Sequence, residues 1–273
     1  MLYLVATPIG NLLDITLRAI ETLKRVDFIA AEDTRHSARL LTEYDIRTPC
    51  FSLHDHNEDA RIKKILQILQ EKKSIALISD AGTPLISDPG FKIVRAVREK
   101  GFGVTAIPGA CAAIAALITS GLATDRFIFD GFLPAKRGAI ENYFEAVKNE
   151  TRTLIFYESV HRIKKTLEIM RKIIGGDRIA TVARELTKTF ETIKQDSLET
   201  LCHWILEDNQ QRGEFVIVLE GAPLLAVSDE KITDLLKILL TELSVKQAVS
   251  IVCKLTGCNK NTAYALGLLQ KPD

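Results

Sequence analysis

Ile75-Ala76-Leu77-Ile78-Ser79-Asp80-Ala81-Gly82-Thr83-Pro84-Leu85-Ile86-Ser87-Asp88-Pro89-Gly90 decides the fold. The run from Ile75 to Ser79, apolar up to its last residue, reads as a strand covered on both faces. It opens into a loop with two acids, two prolines and two glycines, more than a simple turn requires. An amphipathic helix from Phe91 to Lys100 follows. The same unit recurs on either side. Leu2 to Ala6 stops at Thr7-Pro8-Ile9-Gly10-Asn11, after which Ile15, Ala19, Ile20 and Leu23 fall at helical spacing. Phe28 to Ala31 is a strand that runs into Glu32-Asp33-Thr34-Arg35 and a helix after Ser37. Val104 to Ile107 leads through Pro108-Gly109-Ala110 into an Ala-rich helix from Cys111 to Ser120. Buried strands alternating with amphipathic helices predict an α/β domain with a mostly parallel sheet covered on both faces.

Beyond Ser120-Gly121-Leu122 the periodicity changes. Leu154 to Tyr157, Ile179 to Ala183 and Phe215 to Leu219 read as strands, with helices at Arg162 to Ile174 and Leu198 to Leu206. After Ala222-Pro223 the spacing predicts helices over Asp229 to Leu243, Val245 to Thr256 and Lys260 to Leu269. The expected organisation is an α/β domain over 1–120, a mixed α/β domain with room for antiparallel pairs over 121–224, and a small helical appendage over 225–273.

The 273 residues are 47% hydrophobic and 26% charged, so the chain has the apolar material for more than one core. A formal charge of +1 excludes a protein that coats nucleic acid by bulk basicity. Positive charge is instead local. From Pro134 to Lys194 there are 13 Lys and Arg against 8 Asp and Glu, and the flank from Gln195 to Glu230 is acidic. The five cysteines, at 50, 111, 202, 253 and 258, form no CxxC pair, so reduced thiols are expected. Asp14, Arg18, Glu21, Lys24 and Arg25 interrupt any signal-peptide core, and no run approaches the roughly 20 apolar residues of a membrane span. A cytoplasmic protein is expected.

Ligands of an open parallel sheet bind beyond the carboxyl ends of its strands, where loops diverge and helix N-termini expose N–H groups. Between them the four loops there combine Gly or Pro with small polar or acidic residues, which lets a ligand approach the backbone. None is a GxGxxG or GxxxxGK[ST] sequence, so neither a dinucleotide nor a nucleoside triphosphate is indicated.

Taken in order, Val5-Ala6-Thr7-Pro8-Ile9-Gly10-Asn11-Leu12, Ala31-Glu32-Asp33-Thr34-Arg35, Asp80-Ala81-Gly82-Thr83-Pro84, Ser87-Asp88-Pro89-Gly90 and Pro108-Gly109 carry a family resemblance. It continues through Gly131-Phe132-Leu133-Pro134, Tyr157-Glu158-Ser159, His161-Arg162, Ala183-Arg184-Glu185-Leu186-Thr187-Lys188, Gly213-Glu214-Phe215 and Asn259-Lys260-Asn261. The chain resembles the small-subunit ribosomal RNA methyltransferases that modify a cytidine 2′-hydroxyl, within the tetrapyrrole-methylase superfamily. The resemblance implies a tetrapyrrole-methylase-like two-domain fold, S-adenosylmethionine as cofactor, 16S ribosomal RNA in the assembled small subunit as partner, and a homodimer. It places the cofactor against Pro8, Ile9, Gly10, Gly82, Thr83, Pro84, Ile86, Cys111, Ala112, Tyr157, Ala183 and Arg184. Porphyrin-directed relatives begin with a GxGPG-like loop, whereas this chain has Ala6-Thr7-Pro8-Ile9-Gly10-Asn11, which favours the RNA branch.

Methyl transfer from a sulfonium is an in-line displacement, so positioning is the main task and a base or cation near the acceptor hydroxyl adds to it. The charged residues on the rim loops form the candidate pool: Glu32, Asp33, Arg35, Asp80, Asp88, Glu158, Arg162, Arg184, Glu185 and Lys188. Arg35, Asp80, Glu158, Arg184 and Lys188 are the expected catalytic set. Arg35, Arg162 and Arg184 suit phosphate or carboxylate, and Lys188 serves either as a cation or, if desolvated, as a base. Ion pairs bridging the domains are the competing role for every one of them.

His54-Asp55-His56-Asn57-Glu58 has poor spacing for a tetrahedral metal site, and no metal is expected. Phe127, Phe129 and Phe132 read as one buried strand face, with base stacking as the alternative. The last helices serve RNA binding, a dimer contact or simple packing. Two other functions stay open: a small-molecule, tetrapyrrole-type methyltransferase of the same fold, and a catalytically silent RNA-binding assembly protein.

Overall fold

The computed structural model describes residues 1–54, 58–207, 210–223 and 228–270. They form two compact units, Met1–Ala222 and Pro223–Asp273. The first unit opens with β1 (Leu2–Val5), α1 (Leu17–Arg25), β2 (Phe28–Ala31), α2 (Thr34–Glu43), β3 (Cys50–Ser52), α3 (Glu58–Gln70), β4 (Ile75–Ile78), α4 (Phe91–Glu99), β5 (Val104–Ile107) and α5 (Ala112–Thr119). Its strands make a parallel sheet in the order β3-β2-β4-β1-β5. Alternation sorts each strand between two cores. Leu2, Ile75 and Leu77 pack under α3 and α4, while Val5, Ala76 and Ile78 pack under α1 and α2. β1 and β4 lie side by side, but the chain leaves β1 for α1 on one face of the sheet and β4 for α4 on the other, so their loops part and leave a crevice.

The same unit continues with β6 (Phe127–Phe132), α6 (Arg137–Val147), β7 (Thr153–Glu158), α7 (Ile163–Ile174), β8 (Ile179–Arg184), β9 (Thr192–Ser197), α8 (Leu198–Trp204) and β10 (Phe215–Leu219). The second sheet is mixed, in the order β6-β7-β10-β8-β9, with only β6 and β7 parallel. Phe215, Ile217 and Leu219 face the core shared with α6, α7 and α8. Val216 and Val218 face α5, whose Ala113, Ala116 and Leu117 give the small surface for close packing. The helix that ends the first sheet therefore packs on the second.

One expectation fails here. Phe127 and Phe132 are exposed, at 39% and 57%, and only Phe129 is partly covered. The strand lies at the sheet edge, and a register shift between Phe129 and Phe132 breaks the alternation a buried face needs.

In the second unit α9 (Asp229–Leu240), α10 (Val245–Thr256) and α11 (Lys260–Leu269) enclose Ile232, Leu236, Ala248, Val249, Val252 and Ala263. Ser244 and Gln247 form a capping box at the start of α10. Cys253 and Cys258 are free thiols 3.8 Å apart. No described helix is long and apolar enough to cross a membrane.

Candidate functional site

The crevice loops are tied to one another by backbone. Thr7 N–H donates to Gly82 O at 2.8 Å and Gly82 N–H to Thr7 O at 3.1 Å, a short bridge beyond the ends of β1 and β4. Gly82 makes the turn at φ +83°, where a Cβ would also stand 3.1 Å from Ile9 Cγ2. Thr83 Oγ1 donates to Ala110 O at 3.0 Å, fastening the loop after β5. Asp33 N–H donates to Asp80 Oδ1 at 3.0 Å, and Asp80 N–H donates to Glu32 Oε2 at 3.3 Å, which fastens the loop after β2. All four rim loops thus converge.

Two cavities lie at this convergence. The first, about 430 Å³, falls within the usual range of small-molecule sites, roughly 300 to 1,000 Å³. Of the residues expected at the cofactor, Ile9, Gly82, Thr83, Ile86, Ala112, Tyr157 and Ala183 line it, as do Asp80 and Glu158. Sequence reasoning missed Phe132, Val160, Leu186 and Glu214, which close it from the second sheet. Its walls are largely apolar, with Glu32, Asp80 and Asp88 at the border. Tyr157 sits edge-on to Phe129 and Phe132, with centroids at 5.0 and 5.5 Å. Burial pushes its phenol well above the ordinary range, and the hydroxyl accepts a hydrogen bond from Ala113 N–H at 3.2 Å.

The second cavity, about 540 Å³, is lined by Pro8, Gly10, Arg35 and Lys188, and by the unforeseen His36, Ser37 and Arg39 of α2. Ile9, Asp80, Ala81 and Glu214 belong to both cavities. Lys188 Nζ donates to Glu185 Oε1 and Glu214 Oε2, each at 2.8 Å. Burial works against its charge, but the two carboxylates outweigh that and hold the ammonium above its ordinary 10.5. Of the two roles left open for Lys188, the geometry supports the cation. Arg35 reaches back to Asp33, donating to both carboxylate oxygens. Those bonds and the Arg35 N–H hold the Asp33 carboxyl down at about 2.

Other expected residues stand elsewhere. Pro84, Cys111 and Arg184 line neither cavity. Arg184 is buried, and its guanidinium donates to Arg212 O, Phe190 O and Thr192 Oγ1, clamping the turn between β8 and β9. The Glu158 carboxylate is fully buried and committed to Arg162 Nε at 2.8 Å, Thr166 Oγ1 at 2.6 Å and Ser159 N–H at 2.7 Å. Arg162, expected to meet phosphate or a carboxylate, meets the carboxylate, as an internal counter-ion to Glu158. In the histidine-bearing segment, 55–57 lie outside the described residues, and Glu58 is buried and caps α4 by accepting from Lys92 N–H at 3.1 Å. Among the described residues no cluster of three or more His, Cys, Asp or Glu could hold a metal ion.

Backbone strain collects at the same place. Leu85, Ser87, Glu185 and Thr187 adopt positive φ without being glycine, two in each of the loops that face one another across the cavities. Gly10 makes possible the close approach of the loop after β1 to the second of these, since a Cβ there would meet Lys188 Cγ at 2.5 Å and Thr187 Oγ1 at 2.9 Å. Asn11 N–H completes the contact by donating to Thr187 Oγ1 at 3.1 Å.

Comparison with known proteins gives this arrangement a family. The model for Tetrapyrrole (Corrin/Porphyrin) Methylases matches residues 1–202, and that for the RsmI C-terminal HTH domain matches residues 226–271. The Ribosomal RNA small subunit methyltransferase I of Haemophilus influenzae is 53% identical over 98% of this chain and 96% of its own. The protein of the same name from Escherichia coli O157:H7 is 47% identical over 99% and 95%. Among solved structures, diphthine synthase superimposes with a TM-score of 0.62 at 16% identity, covering 80% of this chain and 89% of its own. Uroporphyrin-III-C-methyltransferase from Thermus thermophilus gives 0.57 at 16%, covering 80% and 93%, and these two likenesses speak for the fold alone. Sequence identity of this extent, together with both family models, places the chain in the ribosomal RNA small subunit methyltransferase I family of the tetrapyrrole methylases.

Proposed function

We propose that this chain transfers a methyl group from S-adenosylmethionine to a cytidine 2′-hydroxyl of 16S ribosomal RNA, acting as a cytoplasmic homodimer on the assembled small subunit. The observation that carries the reading is the junction of two cavities at Ile9, Asp80, Ala81 and Glu214: one suits a methyl donor, the other an acceptor.

The first cavity fits the donor on its own features. Ile9, Ile86, Leu186 and Val216 offer apolar walls for a purine, the backbone turned at Gly82 lies open to polar contacts, and Glu32, Asp80 and Asp88 complement a ligand bearing cationic groups. Bound there, S-adenosylmethionine supplies an electrophilic methyl group. The chain's own residues do the rest. Bringing acceptor and donor into line across the junction is worth roughly 7 to 11 kcal/mol. Lys188, held charged, stabilises negative charge growing on the acceptor oxygen. Asp80 and Glu214, the carboxylates common to both cavities, stand where the hydroxyl proton leaves. A second copy of the chain would cover exposed apolar side chains such as Ile118 and Phe190, 69% and 73% exposed.

The test incubates the protein and labelled S-adenosylmethionine with small subunits from cells lacking it, with naked ribosomal RNA, or with porphyrin precursors. Label on a cytidine ribose of the subunit is the expected outcome. Label in the porphyrin would replace the reading with the tetrapyrrole one, and donor binding without transfer anywhere would replace it with a silent assembly protein. Sedimentation of the free protein tests the dimer.

A further inference from the structure

We infer that the face of α2 carrying Arg35, His36 and Arg39 is a phosphodiester grip, which holds the RNA backbone beside the nucleotide entering the second cavity. The inference rests on the RNA reading above and names the residues that would meet the strand.

Three observations carry it. Arg35 and Arg39 are four residues apart on one helix, so their guanidinium groups lie on the same face, and both line the second cavity together with His36. The positive charge at this mouth is also uneven. Lys188, on the opposite wall, is already ion-paired with Glu185 and Glu214, and Arg35 with Asp33. Arg39 is exposed and has no carboxylate partner among the described residues, so the surplus charge sits on α2. Finally, Ser37 lies between the two arginines in sequence, lines the same cavity and is only 4% exposed, yet its Oγ has no hydrogen-bond partner among the described residues. Buried hydroxyls are seldom left so, and one in a cavity wall points to a ligand acceptor.

A phosphodiester meets all three conditions. It is a fixed anion whose two free oxygens match a guanidinium fork, and it can accept from a hydroxyl at the same time. Contacts of this kind fix register along a strand without reading its bases, which leaves choice of the acceptor nucleotide to the cavity itself. An acidic protein segment would satisfy the charge too, but the cavity beneath the arginines adjoins the donor site, where an acceptor nucleotide must enter.

The test measures binding of small subunits from cells lacking the protein, and of their protein-free 16S RNA, over a series of salt concentrations. Wild type is compared with Arg39→Ala, Arg39→Glu, Arg39→Lys and Ser37→Ala, and S-adenosylmethionine affinity reports on folding. Arg39→Glu is expected to weaken binding of both RNA forms at least about 10-fold and to lower the slope of log affinity against log salt by about 0.7 to 0.9. Arg39→Lys should keep the slope, and S-adenosylmethionine affinity should be unchanged throughout. Ser37→Ala should weaken RNA binding several-fold without altering the slope. Unchanged affinity and slope in Arg39→Glu and Arg39→Ala would overturn the grip, as would an effect confined to subunits and absent from protein-free RNA. Wild type that neither binds nor methylates either form would instead overturn the RNA reading itself.

Discussion

Asp80 Oδ1 accepts a hydrogen bond from the Asp33 backbone N–H at 3.0 Å, so the carboxylate after β4 holds the start of α2 in place. Asp80 also borders both cavities, which makes it a support and a lining group at once. Asp80→Ala removes the acceptor and leaves a part-buried N–H unmatched, at a cost of about 1 to 3 kcal/mol. S-adenosylmethionine affinity is expected to fall at least about 10-fold while the protein still folds, with Asp80→Asn, which keeps an acceptor, lying between. Calorimetric titration alongside a thermal melt separates the two effects, and unchanged affinity in Asp80→Ala would remove this residue from the site.

Gly82→Val should be harsher. At φ +83° a β-branched residue carries a backbone penalty of roughly 1 to 2 kcal/mol, and its Cβ would press on Ile9 from 3.1 Å. Both faults fall on the lining of the first cavity. Loss of S-adenosylmethionine binding with near-native far-ultraviolet circular dichroism is the expected result, and Gly82→Ala should retain weak binding.

Much of this site was legible because its first half is built by a rule that leaves a trace in sequence. In a parallel sheet the strand ends share one rim, so Thr7 to Asn11, Glu32 to Arg35, Asp80 to Gly90 and Pro108 to Cys111 had to lie together once the strands were recognised. The closing half follows no such rule. Leu186, Glu214 and Phe132 come from the ends or edges of β8, β10 and β6 in a mixed sheet, and only pairing register brings them to one place. Charge type left the partner undecided as well: Arg184 and Arg162 suit phosphate or carboxylate alike, and burial gives one to backbone carbonyls and the other to the Glu158 carboxylate. Spacing carried more than residue type, for Arg39 stands one helical turn from Arg35 and could have been named from that alone.

Arg162 provides a test of that structural role. The Glu158 side chain is wholly buried, so Arg162→Ala leaves its carboxylate to Thr166 Oγ1 and Ser159 N–H without a counter-ion beside it. Breaking a buried pair from one side costs about 3 to 5 kcal/mol. For a unit of this size each kcal/mol lowers the melting temperature by roughly 2 to 4 °C. A drop of about 6 °C or more is expected, with RNA affinity at low temperature little altered. A stable variant with weakened RNA binding would return Arg162 to the phosphate-contacting set.

Lys188 gives the sharpest separation of mechanisms. Burial opposes the charge on Glu185, but hydrogen bonds from Lys188 and from Glu214 N–H outweigh it and hold the carboxyl below its ordinary 4.5. The stabilisation from that depressed carboxyl is complete above about pH 4.5 and is lost as acidification passes through the lower folded value. The raised Lys188 ammonium works in the opposite sense: its contribution is complete below about pH 10.5 and is lost as the pH climbs through the higher folded value. Between those limits neither group changes charge, so a Lys188 cation imposes no inflection on turnover near neutrality. Lys188→Met should lower turnover about 10²- to 10³-fold with S-adenosylmethionine binding retained, in line with loss of one donor to a developing anion. Lys188→Arg keeps the charge and should recover part of the rate with an unshifted pH profile. A proton-accepting lysine would behave otherwise, because arginine cannot replace a base: an inactive Lys188→Arg, together with a wild-type rate that rises through a titration near neutral pH, would assign the proton transfer to Lys188 and displace the electrostatic role.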